Sequence, residues 1–119
     1  MTPDARLPPP HADLEITPRD VHARRENGDD LILVDCRTEE EHRFARIGGD
    51  RLIPLAELEH RWPELGEDRA RPVVVYCHTG RRSLMATIML RSRGFTEVRS
   101  MAGGIHRWSL EIDASVPRY

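Results

Sequence analysis

Residues 73–83 constrain the fold more than any other stretch of the chain. The stretch opens with Val-Val-Val-Tyr, an apolar and β-branched run that predicts a buried strand. Cys77 follows at once, then a polar loop with one glycine, and then an apolar run at residues 84–90 that predicts a buried helix. Between a strand end and a helix start, free N–H groups and the helix dipole favour the thiolate form of a cysteine. The pattern predicts a nucleophilic cysteine in an anion-binding loop, at the strand edge where α/β proteins collect ligands.

Strand and helix patterns alternate through the rest of the chain. Short apolar runs predict strands at residues 14–16, 31–34, 52–53 and 95–98. Helix starts are predicted at Thr17-Pro18, at Thr38 with its capping-box partner Glu41, near residue 54, and at residue 105. This alternation is typical of a mainly parallel sheet with helices on both faces.

The two ends of the chain are predicted to lie outside the core. Residues 1–13 contain four prolines and little to bury, which predicts a flexible tail and a single domain over residues 14–119. Residues 111–119 are predicted to run over the surface.

Composition excludes several classes of function. A net charge of -2 argues against nucleic-acid binding, and no apolar run is long enough to cross a membrane. The chain contains no lysine, which excludes Schiff-base chemistry. Two cysteines are too few for a disulfide scaffold, so a cytoplasmic protein is expected. The six histidines show no metal-ligand spacing, so neither a metal site nor a cofactor is predicted.

Three groups of residues together resemble the single-domain rhodaneses, which are sulfurtransferases. They are Asp35-Cys36-Arg37 with Thr38 and Glu41, the run Cys77-His78-Thr79-Gly80-Arg81-Arg82-Ser83, and Gly103-Gly104 with Trp108. The resemblance spans residues 16–108 and implies a five-stranded parallel sheet flanked by helices. It also implies a six-residue active loop, residues 77–82, whose cysteine carries a sulfane sulfur as a persulfide.

The chain departs from the family pattern at two places. A His-Ile-Pro-Gly-like turn is usual before the third strand, and residues 46–49 read Arg-Ile-Gly-Gly instead. We interpret this as a change in a structural turn. Cys36 stands where the family usually has a small apolar residue; it either packs in the core or serves as a resolving thiol for Cys77.

The loop residues suit the binding of a sulfur anion. The backbone amides of Thr79, Gly80, Arg81 and Arg82 are expected to point at the sulfur, as in other anion-binding nests. Arg81 and Arg82 are expected to attract a small dianionic donor such as thiosulfate. His78 either tunes the thiolate or lines the rim. Asp35 and Arg37 are expected to support the neighbouring loops, a role that the resemblance implies.

Two other functions compete with sulfur transfer. A cysteine-based phosphatase or arsenate reductase also binds oxyanions in such a loop, but the phosphatase spacing requires arginine at position 83, which is Ser83. A rhodanese-like fold can also serve as a non-catalytic interaction module. For the sulfurtransferase, the acceptor could be a small thiol or a protein, and neither the pathway nor the oligomeric state can be inferred.

Overall fold

A computed structural model describes residues 12–119 and contains a five-stranded sheet in which all neighbouring strands are parallel. The strands are β1 (Glu15–Ile16), β2 (Ile32–Asp35), β3 (Arg51–Leu52), β4 (Val73–Tyr76) and β5 (Val98–Met101). Their order across the sheet is β1-β5-β4-β2-β3, so β4 lies at the centre. The predicted α/β fold with a five-stranded sheet is confirmed.

Within residues 12–119, four α-helices connect the strands and a fifth follows β5. They are α1 (Pro18–Glu26), α2 (Glu39–Phe44), α3 (Leu58–Arg61), α4 (Arg81–Ser92) and α5 (Gly104–Glu111). The two predicted caps are present, since Thr17 Oγ1 accepts the Asp20 N–H at 3.1 Å and Thr38 forms a capping box with Glu41. These caps fix where α1 and α2 begin.

The sheet carries a separate core on each face. Because side chains alternate along a strand, Val34 and Val75 point to one face and Leu33 and Val74 to the other. Helices α3 and α4 cover the first face, whereas α1 and α5 cover the second. Both strands β2 and β4 are buried along their whole length, as their unbroken apolar runs predict.

Two predicted elements differ from the structure. The last strand begins at Val98 rather than at residue 95, because the N–H of Phe95 bonds to the carbonyl of Leu90 and closes the end of α4. The apolar run at residues 84–90 is not fully buried: Met85 is 61% and Ile88 48% exposed. A helix that packs on a sheet turns one side to solvent. The apolar composition of residues 84–90 therefore overstates how far this part of α4 is buried.

The ends of the described chain pack on the domain. Most of the tail predicted for residues 1–13 lies outside the described residues, but Ala12–Leu14 forms a short 3₁₀ helix. At the other end, most of residues 111–119 are exposed, as predicted for a segment that runs over the surface, but Val116 is buried and the Tyr119 ring stacks on that of His78. None of the helices within residues 12–119 has the length and apolarity needed to span a membrane.

Candidate active site

Cys77 lies at the carboxyl end of the central strand, directly before the loop that leads into α4. Its Sγ accepts the backbone N–H groups of Gly80 at 3.1 Å and of Ser83 at 3.3 Å. The side chain is only 2% exposed, so the sulfur lies at the bottom of the loop rather than at an open surface. Two amides directed at one buried sulfur stabilise its thiolate.

The Ser83 side chain adds a third polar contact to this sulfur. Its Oγ lies 3.4 Å from Cys77 Sγ and 2.7 Å from the Oγ of Ser100 on β5. The Ser83 hydroxyl carries one proton, which can be donated to the sulfur or to the Gly80 carbonyl at 3.2 Å, while its oxygen can accept from Ser100. All three residues are buried, so water does not compete for these contacts.

Two glycines allow the loop to curl around the sulfur. Gly80 has φ +108°, a left-handed conformation that other residues rarely adopt. Gly104, with φ +61°, lies so close to the loop that an added Cβ would stand 2.3 Å from the His78 carbonyl oxygen. The next two amides of α5 bond to the Cys77 and His78 carbonyls at 2.9 and 3.1 Å. These bonds orient the loop backbone, with the carbonyls of Cys77 and His78 directed at α5.

Cys36 lies beside Cys77 at the end of the adjacent strand, in the same buried cluster. A hydrogen bond from the Cys36 thiol is the first cause that holds the pKa of Cys77 below its ordinary value. Burial acts in the opposite direction, and the hydroxyl and amide of Ser83 and the amide of Gly80 lower the pKa further. The same hydrogen bond, together with burial, raises the pKa of Cys36. These opposite pKa shifts favour the thiolate form of Cys77 and the thiol form of Cys36.

The two arginines of the loop have different surroundings. Arg82 donates to both carboxylate oxygens of Glu41 in α2, at 2.8 and 2.9 Å, and its charge acts on both cysteine sulfurs. Because the Arg82 fork is occupied by a carboxylate, its expected part in attracting a dianionic donor rests on its charge and stays a prediction. Arg81 is exposed and takes part in none of the salt bridges within residues 12–119.

Tyr119 covers the other side of the loop. Its ring stacks on the His78 ring, with centroids 4.0 Å apart and 10° between the planes. Its hydroxyl donates to Glu41 Oε2 at 2.7 Å and accepts from Arg37 Nη1 at 2.8 Å. Thr79, at the loop tip, is exposed. The arrangement places His78 at the rim, beside an aromatic side chain from the end of the chain.

Asp35 and Arg37 form a buried ion pair beneath this rim. Arg37 Nε and Nη2 lie 2.9 and 2.8 Å from the two Asp35 carboxylate oxygens, and both side chains are fully buried. Arg37 also donates to the Ala45 carbonyl, and so ties the end of β2 to the end of α2. The buried Arg37 guanidinium, whose nitrogens all have hydrogen-bond partners, therefore organises the neighbouring loops without contacting the Cys77 sulfur.

Three potential metal ligands, Asp35, His42 and Asp50, lie within 4.8 Å of one another. Their polar atoms already have partners: His42 Nδ1 lies 2.9 Å from Asp35 Oδ2, Arg37 holds both Asp35 oxygens, and Tyr76 donates to Asp50. The cluster is a hydrogen-bonded network at the end of β2.

The site brings together some of the predicted residues and adds others. Of the four amides expected to face the sulfur, only that of Gly80 does so within hydrogen-bond distance among the described residues. Ser83 was missed as a donor, although it follows the cysteine by six positions and begins the buried side of α4. Glu41 was recognised as a capping residue and as part of the family resemblance, but not as the partner of Arg82, and Tyr119 carried no sequence signal at all.

These features define a class of α/β proteins that hold a thiolate in a short, amide-lined loop at the carboxyl edge of a parallel sheet. Residues 17–111 match the model of the Rhodanese-like domain family. The chain belongs to this family.

Similar proteins include sulfurtransferases. The chain is 32% identical over 104 residues to the probable adenylyltransferase/sulfurtransferase MoeZ of Mycobacterium tuberculosis, a match of 87% of this chain but only 26% of MoeZ. A thiosulfate sulfurtransferase from Pseudomonas aeruginosa superposes with a TM-score of 0.74 at 28% identity, over 87% of this chain and 20% of that one. The chain therefore spans about a quarter or less of these relatives.

A third similar protein bears on the alternative function. The structure of a protein of unknown function from Rhodopseudomonas palustris, described as a possible tyrosine phosphatase, superposes with a TM-score of 0.74 at 26% identity and covers all of both chains.

Proposed function

We propose that the chain transfers sulfane sulfur from a thiosulfate-like donor to a thiophilic acceptor through a persulfide on Cys77. The observation that carries the proposal is the position of Cys77 Sγ, which accepts two backbone amides and lies beside the Ser83 hydroxyl. The thiolate attacks the outer sulfur of thiosulfate and releases sulfite, and the loop then holds the terminal sulfur anion. Relatives described as sulfurtransferases support this proposal.

Arg81 and Arg82 have different electrostatic roles in the proposed reaction. Arg81 is exposed and paired with no carboxylate within residues 12–119, so it attracts the anionic donor. Arg82 is fixed by Glu41 and supplies a stationary positive charge near the sulfur. Thr79 and His78 line the approach, and Asp35 with Arg37 supports the loop from below.

The acceptor is a small thiol or a protein in the cytoplasm, where reducing conditions keep both cysteines available. A persulfide at the bottom of a loop is reached only by a slender nucleophile, such as cyanide in the test tube or a thiol in the cell.

The test is formation of thiocyanate and sulfite from thiosulfate and cyanide. Cys77→Ser is expected to abolish both products, because the hydroxyl cannot take up sulfur. Cys36→Ser, which keeps a donor beside Cys77, retains both products at an altered rate. Equal activity of the Cys77→Ser variant would overturn the proposal, and absence of sulfite from the unaltered protein would favour a binding module.

The phosphatase alternative is tested in the same preparation. A phosphatase loop of this kind offers a free arginine to the phosphate, whereas Arg82 comes one position early and is bound to Glu41. We expect no hydrolysis of an aryl phosphate above the level of the Cys77→Ser variant. Appreciable hydrolysis that depends on Cys77 would replace sulfur transfer with phosphate transfer.

A further inference from the structure

Cys36 and Cys77 occupy equivalent positions at the ends of two hydrogen-bonded strands. In the parallel pairing of β2 with β4, Asp35 lies opposite Tyr76, and the Cys36 N–H donates to the Tyr76 carbonyl at 3.0 Å. The next residue of each strand is a cysteine, and both side chains belong to the same buried cluster on the same face of the sheet. Neighbouring strands are about 4.8 Å apart, which falls within the Cα separation that a disulfide bridges.

Cys36 is shielded from every thiol outside the protein. It is 1% exposed and packs among aliphatic residues of the core, and it is a free cysteine that is not part of a disulfide. Burial and the hydrogen bond to Cys77 keep its proton in place by raising its pKa. Its neighbour at the end of the adjacent strand is Cys77, whose side chain lies in the same buried cluster, so we expect chemistry at Cys36 to pass through Cys77.

We propose that Cys36 attacks the Cys77 persulfide from inside the protein and releases its outer sulfur as hydrosulfide, a reaction that rests on the persulfide of the proposed function. The Cys36 proton passes to the terminal persulfide sulfur, and the Cys36 sulfur forms a bond to Cys77 Sγ. The bond between Sγ and the terminal sulfur breaks, and its electron pair leaves with hydrosulfide. Cys36 is oxidised to half of a disulfide while the outer sulfur is reduced.

The overall reaction balances without an outside oxidant. Thiosulfate, the Cys77 thiolate and the Cys36 thiol give sulfite, hydrosulfide and the Cys36–Cys77 disulfide. A second turnover requires a dithiol, or two molecules of a monothiol, to reduce that disulfide. With cyanide present, cyanide and Cys36 compete for the same persulfide, so the balance between thiocyanate and hydrosulfide depends on the cyanide concentration.

The electrostatics of the site favour attack by Cys36 on the Cys77 persulfide. Once Cys77 carries a second sulfur, its Sγ is no longer an anion, and the negative charge that held the Cys36 proton moves to the terminal sulfur. Arg82, whose charge acts on both cysteine sulfurs, stays in place through its ion pair with Glu41. Its positive charge favours departure of the outer sulfur as an anion.

The experiment is a single turnover without oxygen. The full chain is reduced, freed of small thiols, mixed with one equivalent of thiosulfate and quenched with an alkylating agent. Sulfite and sulfide are measured, and the intact mass distinguishes an added sulfur from a disulfide. The same reaction is run with Cys36→Ser and, in case the hydroxyl disturbs the core, with Cys36→Ala.

We expect the unaltered protein to release one sulfite and one sulfide per chain and to lose two hydrogen atoms in mass. Both Cys36 variants should release sulfite, retain one added sulfur and release no sulfide. Sulfite release also shows that the variants are folded. Retention of the added sulfur by the unaltered protein, or sulfide release from both variants, would overturn the inference while the proposed function stands. Absence of sulfite from all three proteins would overturn both.

Discussion

Arg82 Nη1 and Nη2 lie 2.8 and 2.9 Å from the two carboxylate oxygens of Glu41, although 41 residues separate them in the chain. The pair fastens the start of α4, which carries the loop, to α2. An arginine held in this way contributes a fixed charge instead of a movable ligand.

Replacing Glu41 with glutamine should destabilise the protein at neutral pH by about 1 kcal/mol, or about 4 °C in melting temperature. The Arg82 hydrogen bonds, opposed by burial and helped by the Tyr119 hydroxyl, hold the pKa of Glu41 well below its ordinary value of 4.5. A lowered pKa means that this contribution is present above pH 4.5 and is lost as the pH falls further. Melting curves of the two proteins should therefore converge in acid; a constant difference would show that the charge pair is not the cause.

Replacing Cys36 with valine should raise the pKa of Cys77. The neighbouring thiol, acting against burial and together with Ser83 and Gly80, lowers that pKa to about 5. Loss of one hydrogen bond to an anion corresponds to about 1–2 pKa units. The ultraviolet absorbance of the thiolate, followed from acid to neutral pH, measures the shift, and Cys77→Ser removes the transition. An unchanged midpoint in the valine variant would show that the amides suffice.

Replacing Ser83 with alanine should slow sulfur transfer by about tenfold or more, because a hydrogen bond to the sulfur anion is lost while the amide remains. The Ser83 Oγ lies 3.4 Å from Cys77 Sγ. Ser92→Ala, at the other end of the same helix, removes an exposed hydroxyl that donates to the Met89 carbonyl, and serves as the control. Thiocyanate formation by both variants is the measurement, and equal rates would assign Ser83 to packing alone.

Replacing Gly104 with alanine should displace the backbone of the loop after Cys77, although Gly104 lies in a different segment of the chain. The added Cβ would meet the His78 carbonyl oxygen at 2.3 Å, and the left-handed conformation adds about 1–3 kcal/mol of strain. Gly48→Ala is the matched control, because an added Cβ there meets no atom within 4 Å. We expect a lower melting temperature and lost thiocyanate formation for Gly104→Ala only. Full activity with a lowered melting temperature would mean that the loop tolerates displacement of α5.

Local signals in the sequence predicted the parts of this protein that depend on neighbours in the chain. The apolar run before Cys77 and the caps at Thr17 and Thr38 correspond to β4, α1 and α2. The start of β5 was misplaced because the apolar residue Phe95 belongs to the core at the end of α4 rather than to the sheet. Composition alone cannot distinguish an apolar residue that is buried outside the sheet from one that lies in a strand.

The sequence by itself determined the family, the α/β alternation and the position of Cys77 between a buried strand and a helix, because each depends on residue types at fixed spacing along a short stretch. Only the tertiary structure decided which side chains surround Cys77. Parallel pairing of β2 with β4 brings Cys36 beside Cys77, and the return of the chain end brings Tyr119 onto His78. Such contacts depend on register and packing between distant segments, to which spacing along the chain gives no guide.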